Sequence, residues 1–151
     1  MKAALSLDLD NQWSYMKTHG DPGWESLPSY VDTVVPRVLE MLDEFGLKIT
    51  FFIVGLDAAQ PGNQKSLRSI AQAGHEIGNH SHYHEPWLHR RTPAEIDDEI
   101  ALAEKSIAEA TGQRPRGFRG PGFVRSQEIY RVLASRGYAY DLSFGTGAMR
   151  M

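Results

Sequence analysis

Ile49-Thr50-Phe51-Phe52-Ile53-Val54 is an unbroken run of apolar, β-branched and aromatic residues. A strand with one wet face alternates apolar and polar positions. A run without alternation fits a parallel strand covered on both faces. Before it, Val31, Val34, Val35, Val38, Leu39, Leu42 and Phe45 make one apolar stripe, which predicts a helix over Tyr30–Phe45. Gly46 stops that helix. Pro36 fits only near its start, so Asp32 or Thr33 is the expected N-cap. After the run, Pro61–Ala73 reads as a second helix with Leu67, Ile70 and Ala71 inward and Gly74 as its stop. His75–Ile77 reads as a brief strand.

The same alternation continues in both directions. Thr92, Pro93 and Glu95 form a capping-box pattern that opens a helix over Pro93–Thr111, with Ile96, Ile100, Ala103 and Ile107 buried. Gly117–Arg119 is a short strand. Ser126 caps a helix running to Ser135, with Ile129, Val132 and Leu133 inward, and Tyr138–Leu142 is a fifth strand. Towards the N-terminus, Ala3–Leu9 reads as a buried strand, followed by a long connection over Asn11–Ser29 rich in Gly, Pro and aromatics. Phe144–Met151 carries no recognisable element. The order β-α-β-α-β-α-β-α-β implies a parallel sheet with covering helices, open or rolled into a barrel. Both forms bind ligands at the C-terminal ends of the strands.

At 151 residues the chain fits one domain, residues 1–151, able to bury a core without staples. A net charge of −3 with no long basic run argues against nucleic acid. Cysteine is absent, which excludes disulfides and thiolate sites, so any metal takes N and O ligands. The apolar start Met1–Leu7 is broken by Asp8 and Asp10, too short for a signal peptide. No stretch approaches the ~20 apolar residues of a membrane span. A cytoplasmic location is the expectation.

The polar candidates fall at strand ends. Asp8 and Asp10 close the first strand on one face, where two carboxylates repel unless a cation or shared proton relieves them. The third strand runs into Gly74–Trp87, which holds His75, His80, His82 and His84. Arg119 and Asp141 end the fourth and fifth strands. One carboxylate, two imidazoles and open positions make a catalytic metal site, and the second aspartate is then free to act as a base. Arg119 beside an aspartate would keep it ionised and oriented. Zinc is the default for this donor set; cobalt, nickel and iron also fit it. Spacing does not decide which histidines bind. A strand over His80–His84 would put His80, His82 and His84 on one face, and a His-x-His pair would suit an amidohydrolase-type barrel. The metallo-β-lactamase pattern fails because His84 stands where that motif has Asp. A two-histidine, one-carboxylate iron oxygenase conflicts with the α/β alternation. Trp13 and Trp24 would stack on a sugar ring or pack the connection down.

These residues resemble the polysaccharide deacetylases of carbohydrate esterase family 4, with the NodB homology domain, from about Ala3 to Ser143. Ser6-Leu7-Asp8-Leu9-Asp10 resembles a spaced variant of the first family motif, and His80-Ser81-His82-Tyr83-His84 matches the second. Arg119-Gly120-Pro121-Gly122 matches the third, and Asp141-Leu142-Ser143 resembles a weaker fourth. The resemblance implies a distorted (β/α)7 barrel, of which about five strands are present. It implies Asp10, His80 and His84 as ligands of a divalent metal, with His82 excluded. Asp8 is implied as the base and Arg119 as the residue that orients it. Pro121, Gly122, Phe123, Trp13 and Trp24 are the substrate-binding candidates, with a backbone N–H near Phe123 stabilising the oxyanion. The implied reaction is metal-assisted hydrolysis of an acetyl group on an N-acetylated glycan or glycan precursor. The family's acid is a late histidine, and no histidine follows His89. The expectation is therefore a domain missing its C-terminal part, with an open barrel edge that favours self-association. A same-fold hydrolase of small amides or cyclic imides, and an inactive metal- or sugar-binding remnant, are the competing readings.

Overall fold

The computed structural model describes residues 4–143. The Phe144–Met151 reading and the first residue of the Ala3–Leu9 strand lie outside them. Five strands form one sheet: β1 (Ser6–Leu9), β2 (Thr50–Ile53), β3 (Glu76–Asn79), β4 (Gly117–Phe118) and β5 (Tyr140–Asp141). All pairings are parallel, and the spatial order is β1-β2-β3-β4-β5. A strand order without reversal, with the right-handed crossovers usual for parallel strands, puts the helices on one face and leaves the other to line a barrel interior. A doubly wound sheet would have reversed direction partway. The observed architecture is a five-stranded part of a barrel of the expected type.

Side-chain alternation then sorts the residues. Leu7, Leu9, Phe51, Ile53 and Ile77 face outward and pack with Val31, Val35 and Leu42 of α2 (Val31–Glu44). Leu67, Ile70 and Ala71 of α4 (Gln64–Gln72) join the same core. A second core joins Phe118 to Ile96 and Ile100 of α5 (Pro93–Thr111) and to Ile129, Val132 and Leu133 of α6 (Gln127–Ser135). Ser6, Asp8 and Phe52 point the other way. Room for Phe52 comes from Gly78, its register partner, where a Cβ would lie 2.5 Å from Phe52 Cδ1. Gly78→Ala is therefore expected to cost about 1–3 kcal/mol through overpacking, read as a lower urea midpoint with unchanged slope.

Helix α5 has the predicted bounds. Its Thr92–Glu95 capping box is formed, and Gly112 ends it in the left-handed conformation. Elsewhere the structure corrects the sequence. The Asn11–Ser29 connection contains α1 (Gln12–His19), capped by the Asn11 side chain and ended by left-handed Gly20. Its faces carry no clear apolar stripe, so periodicity hid it. Helix α2 starts at Val31, so Asp32 and Thr33 lie inside it and Pro36 falls in its second turn; Ser29 Oγ accepts from Val31 N–H instead (3.2 Å). Phe45, assigned to the buried stripe, is 70% exposed just past the helix end. The single predicted helix over Pro61–Ala73 is a 3₁₀ turn followed by α4, and a short α3 (Gly55–Ala59) precedes it.

Candidate metal centre

Asp10 leaves β1 on the interior side. Its Oδ1 stands 3.4 Å from His80 Nε2, and its Oδ2 stands 3.5 Å from His84 Nε2. The three ligand atoms lie within 4.8 Å of one another, and no other such group of three occurs among the described residues. Donors about 2.0–2.2 Å from a tetrahedral zinc ion stand about 3.4 Å apart. Asp10 Oδ1 is buried without a hydrogen-bond partner. A divalent cation therefore fits these residues in spacing, donor type and unmet valence.

The histidines are placed by a loop, not a strand. Asn79 Oδ1 accepts from Ser81 N–H (2.8 Å), and Ser81 Oγ accepts from Glu85 N–H (3.2 Å). Glu99, reaching in from α5, accepts from the backbone N–H groups of His82 (2.9 Å) and Tyr83 (2.6 Å). Lys17 of α1 donates to Tyr83 O (2.6 Å). Ser81 (φ 61°) and His84 (φ 49°) are left-handed, a strained state for non-glycine residues that needs such anchoring. The turn brings His80 and His84 together and sends His82 away. His82 packs on α3, where a Cβ on Gly55 would meet its Nδ1 at 2.6 Å. The face-sharing that a His80–His84 strand would have produced does not occur.

Behind the triad, His80 Nδ1 lies 2.6 Å from Arg119 O. A carbonyl only accepts, so Nδ1 carries the proton and Nε2 offers its lone pair to a metal. Burial lowers His80 by more than Asp10 and Asp8 raise it, so the ring is neutral at neutral pH. Burial raises Asp10, but the hydrogen bond from His84 and the electrostatic pull of the His80 and His84 imidazoles outweigh it and hold the carboxyl below its ordinary value. Arg119 Nη1 donates to Asp8 Oδ1 (2.6 Å) and Nη2 to Ser6 Oγ (2.6 Å), with the guanidinium 4.3 Å from the Phe52 ring centroid. Asp141 accepts from Ser143 N–H and Oγ, and Ser143 Oγ in turn accepts from Gly120 N–H (2.7 Å). That chain steadies the loop carrying Arg119.

The remaining candidates divide. Trp13 is 4% exposed and donates Nε1–H to Asp57 Oδ1 (2.8 Å), so the sugar-stacking role is closed to it. Trp24 packs on Trp13, their centroids 5.5 Å apart, and borders a separate hollow with Leu27, Leu56 and Gln60. Pro121 is buried, left-handed Gly122 sits beside Pro86, and Phe123 is 50% exposed with its ring 5.9 Å from Arg119 Cζ. Phe123 N–H donates to Gly120 O (2.9 Å), so that group itself is committed within the turn. A cleft of about 360 Å³ opens against the triad, lined by Asp10, Asn11, Gln12, Tyr15, Tyr30 and His84. Tyr30 and Gln12 were missed by sequence reasoning. The signal was Asn11 as a cap followed by Gly20 as a stop.

His75 stands apart from the centre. Its Nδ1 accepts from Ile49 N–H (3.2 Å), and burial followed by the charge of Lys48 lowers it below its ordinary 6.5. The unfolded chain then takes up this proton first. Its contribution to stability is present above pH 6.5 and lost as pH falls towards the lower folded value. His75→Gln is expected to flatten the fall in melting temperature between pH 7 and pH 5, relative to wild type.

The Polysaccharide deacetylase family model matches residues 21–140. A chitooligosaccharide deacetylase of Bradyrhizobium sp. (strain ANU 289) is 37% identical over 106 residues, covering 69% of this chain and 47% of that protein. A Mycobacterium smegmatis protein of the polysaccharide deacetylase type superposes with a TM-score of 0.78 at 31% identity, over 91% of this chain and 49% of the other. An acetyl xylan esterase from Clostridium thermocellum, solved with a cobalt ion, gives 0.65 at 27% identity, over 85% and 53%. The chain spans about half the length of the curated relatives it matches. Sheet order, the match over most of the chain and the likeness to these proteins agree: this chain belongs to the polysaccharide deacetylase family.

Proposed function

We propose that the chain acts as a metal-dependent hydrolase removing an acetyl group from an N-acetylated glycan or glycan precursor, with zinc as the resident ion. The observation that carries this reading is the Asp10–His80–His84 triad at metal-ligand spacing, with an Arg119-held Asp8 two residues from Asp10 in sequence. A divalent cation held there polarises an acyl carbonyl and lowers the pKa of water at the site. The chain's own residues supply the base and the cleft. Arg119 occupies Asp8 Oδ1, which leaves Oδ2 to take the proton of the attacking water and to return it to the leaving amine as the acyl C–N bond breaks. Half-exposed Phe123, its ring 5.9 Å from Arg119 Cζ, offers an apolar surface beside Arg119. Tyr15, Gln12 and Tyr30 line the cleft beside Asp10 and His84, the proposed seat of a sugar ring. Among the described residues, no helix is long and apolar enough to cross a membrane.

The test is acetate release from N-acetylglucosamine oligomers after chelation and zinc restoration, beside acetylated xylan and a cyclic imide. Zinc-dependent release from the oligomers supports the proposal. Release only from xylan, or turnover only of the imide, replaces the substrate class. No turnover with zinc bound replaces hydrolysis with binding.

A further inference from the structure

Asp57 is 1% exposed and takes no part in the chemistry above. Its Oδ1 accepts from Asn11 Nδ2 (3.1 Å) and Trp13 Nε1 (2.8 Å), and its main-chain carbonyl accepts from Asn63 Nδ2 (2.9 Å). Ser29 Oγ accepts from Asn11 Nδ2 (2.8 Å) and donates to Asn63 Oδ1 (2.7 Å). These bonds close a ring through Asn11, Asp57, Asn63 and Ser29. It ties together the exit of β1, helix α3, the turn before α4 and the residue that caps α2.

Stability alone is a poor account of this ring. Asn11, Asp57 and Asn63 are at most 2% exposed, and Asp57 Oδ2 is buried with no partner. Polar groups taken out of water contribute little net stability, and apolar replacements of like volume are often neutral or better. The location of the ring supplies a reason for it. Ladder pairing of β1 ends at Leu9, so nothing in the sheet fixes Asp10. Two contacts do: Tyr30 Oη donates to Asp10 O, and Asn11, the next residue, is locked into the ring. Asn11 Oδ1 also accepts from Tyr30 N–H (3.3 Å), so the ring orients both. On the far side, the histidines are fixed independently by Arg119 O and Glu99.

We infer that Asp57 is a positioning residue for the metal ligand Asp10, acting through Asn11 to set the carboxylate against His80 and His84. This rests on the metal-site reading above. Its loss loosens one side of a three-point site while leaving the other two donors in place. Partners that orient a metal ligand commonly matter by 10–100-fold in affinity.

The experiment is a zinc titration of the full chain by calorimetry, with Co²⁺ d–d absorption as a measure of ligand geometry. Asp57→Ala is expected to bind zinc about 10–100-fold more weakly with an altered cobalt band. Asp57→Asn keeps the Oδ1 acceptor for Asn11 and Trp13, and it restores affinity and spectrum towards wild type. Ser29→Ala breaks the ring at a half-buried member and shifts both readouts the same way by a smaller factor; it decides the matter if Asp57→Ala does not fold. Wild-type affinity and spectrum in Ser29→Ala and folded Asp57→Ala overturn the inference and leave the metal site standing. No zinc binding by folded wild type overturns the metal reading and the inference with it.

Discussion

Wild-type protein saturated with zinc is expected to melt about 5–10 °C above the metal-free protein, and His84→Ala is expected to lose that shift. The size follows from linkage: a ligand at 100 times its Kd adds about 2.7 kcal/mol, and a domain near 150 residues gains about 2–4 °C per kcal/mol. His84 supplies one of three protein donors, its Nε2 3.5 Å from Asp10 Oδ2. Removing an orienting partner costs 10–100-fold in metal affinity, so removing a donor is expected to cost more than about 100-fold. Alanine in place of His84 removes an edge-to-face ring contact with His80 (centroids 5.2 Å) but keeps the His80–Arg119 hydrogen bond, so the metal-free fold is expected to persist. Calorimetric titration beside the melts separates loss of binding from loss of fold. A variant that keeps the full shift would place the ion elsewhere in the molecule.

Asp8→Asn is the second large effect. With a substrate in hand, turnover is expected to fall by about 10²–10⁴-fold, the span associated with a positioned general base. Zinc affinity is expected to stay near wild type, because Asp8 is not one of the triad. Asparagine keeps an oxygen for Arg119 Nη1, which now contacts Asp8 Oδ1 at 2.6 Å, so the packing of Arg119 on Phe52 is expected to survive. The split between rate and affinity is the diagnostic point. A module that merely binds metal or sugar would be indifferent to this substitution, and a retained rate would remove Asp8 from the chemistry.

Much of the frame is legible in the residue order because burial writes a period into a sequence. The α5 stripe Ile96, Ile100, Ala103 and Ile107 is fully buried as its spacing predicts, and the unbroken run around Phe51 is an interior strand, paired on both sides. The caps Thr92 and Ser126 work as local chemistry says they must, since side chain and orphan N–H lie within one turn. Helices α1 and α3 were not legible. The first has no clear apolar stripe, and the second is a five-residue turn of Gly, Leu, Asp and Ala. Trp13 was open between stacking on a sugar and packing the connection; tertiary burial gives its N–H to Asp57 and decides for packing.

The sequence by itself determined the α/β alternation, the rim on which polar residues gather and the donor chemistry, because these depend on period, strand direction and residue type. Period and spacing left three things to tertiary structure, two of which, the barrel and the choice of histidines, the family resemblance had implied. The unreversed strand order makes the sheet part of a barrel, a property of long-range pairing that no local pattern encodes. A loop anchored by Glu99 selects His80 and His84 over His82, because the left-handed turns at Ser81 and His84 break the period of two that a strand would impose. The buried ring through Asp57 and Asn63 joins residues up to 52 positions apart (Asn11 and Asn63), and only folding brings those side chains within hydrogen-bonding distance.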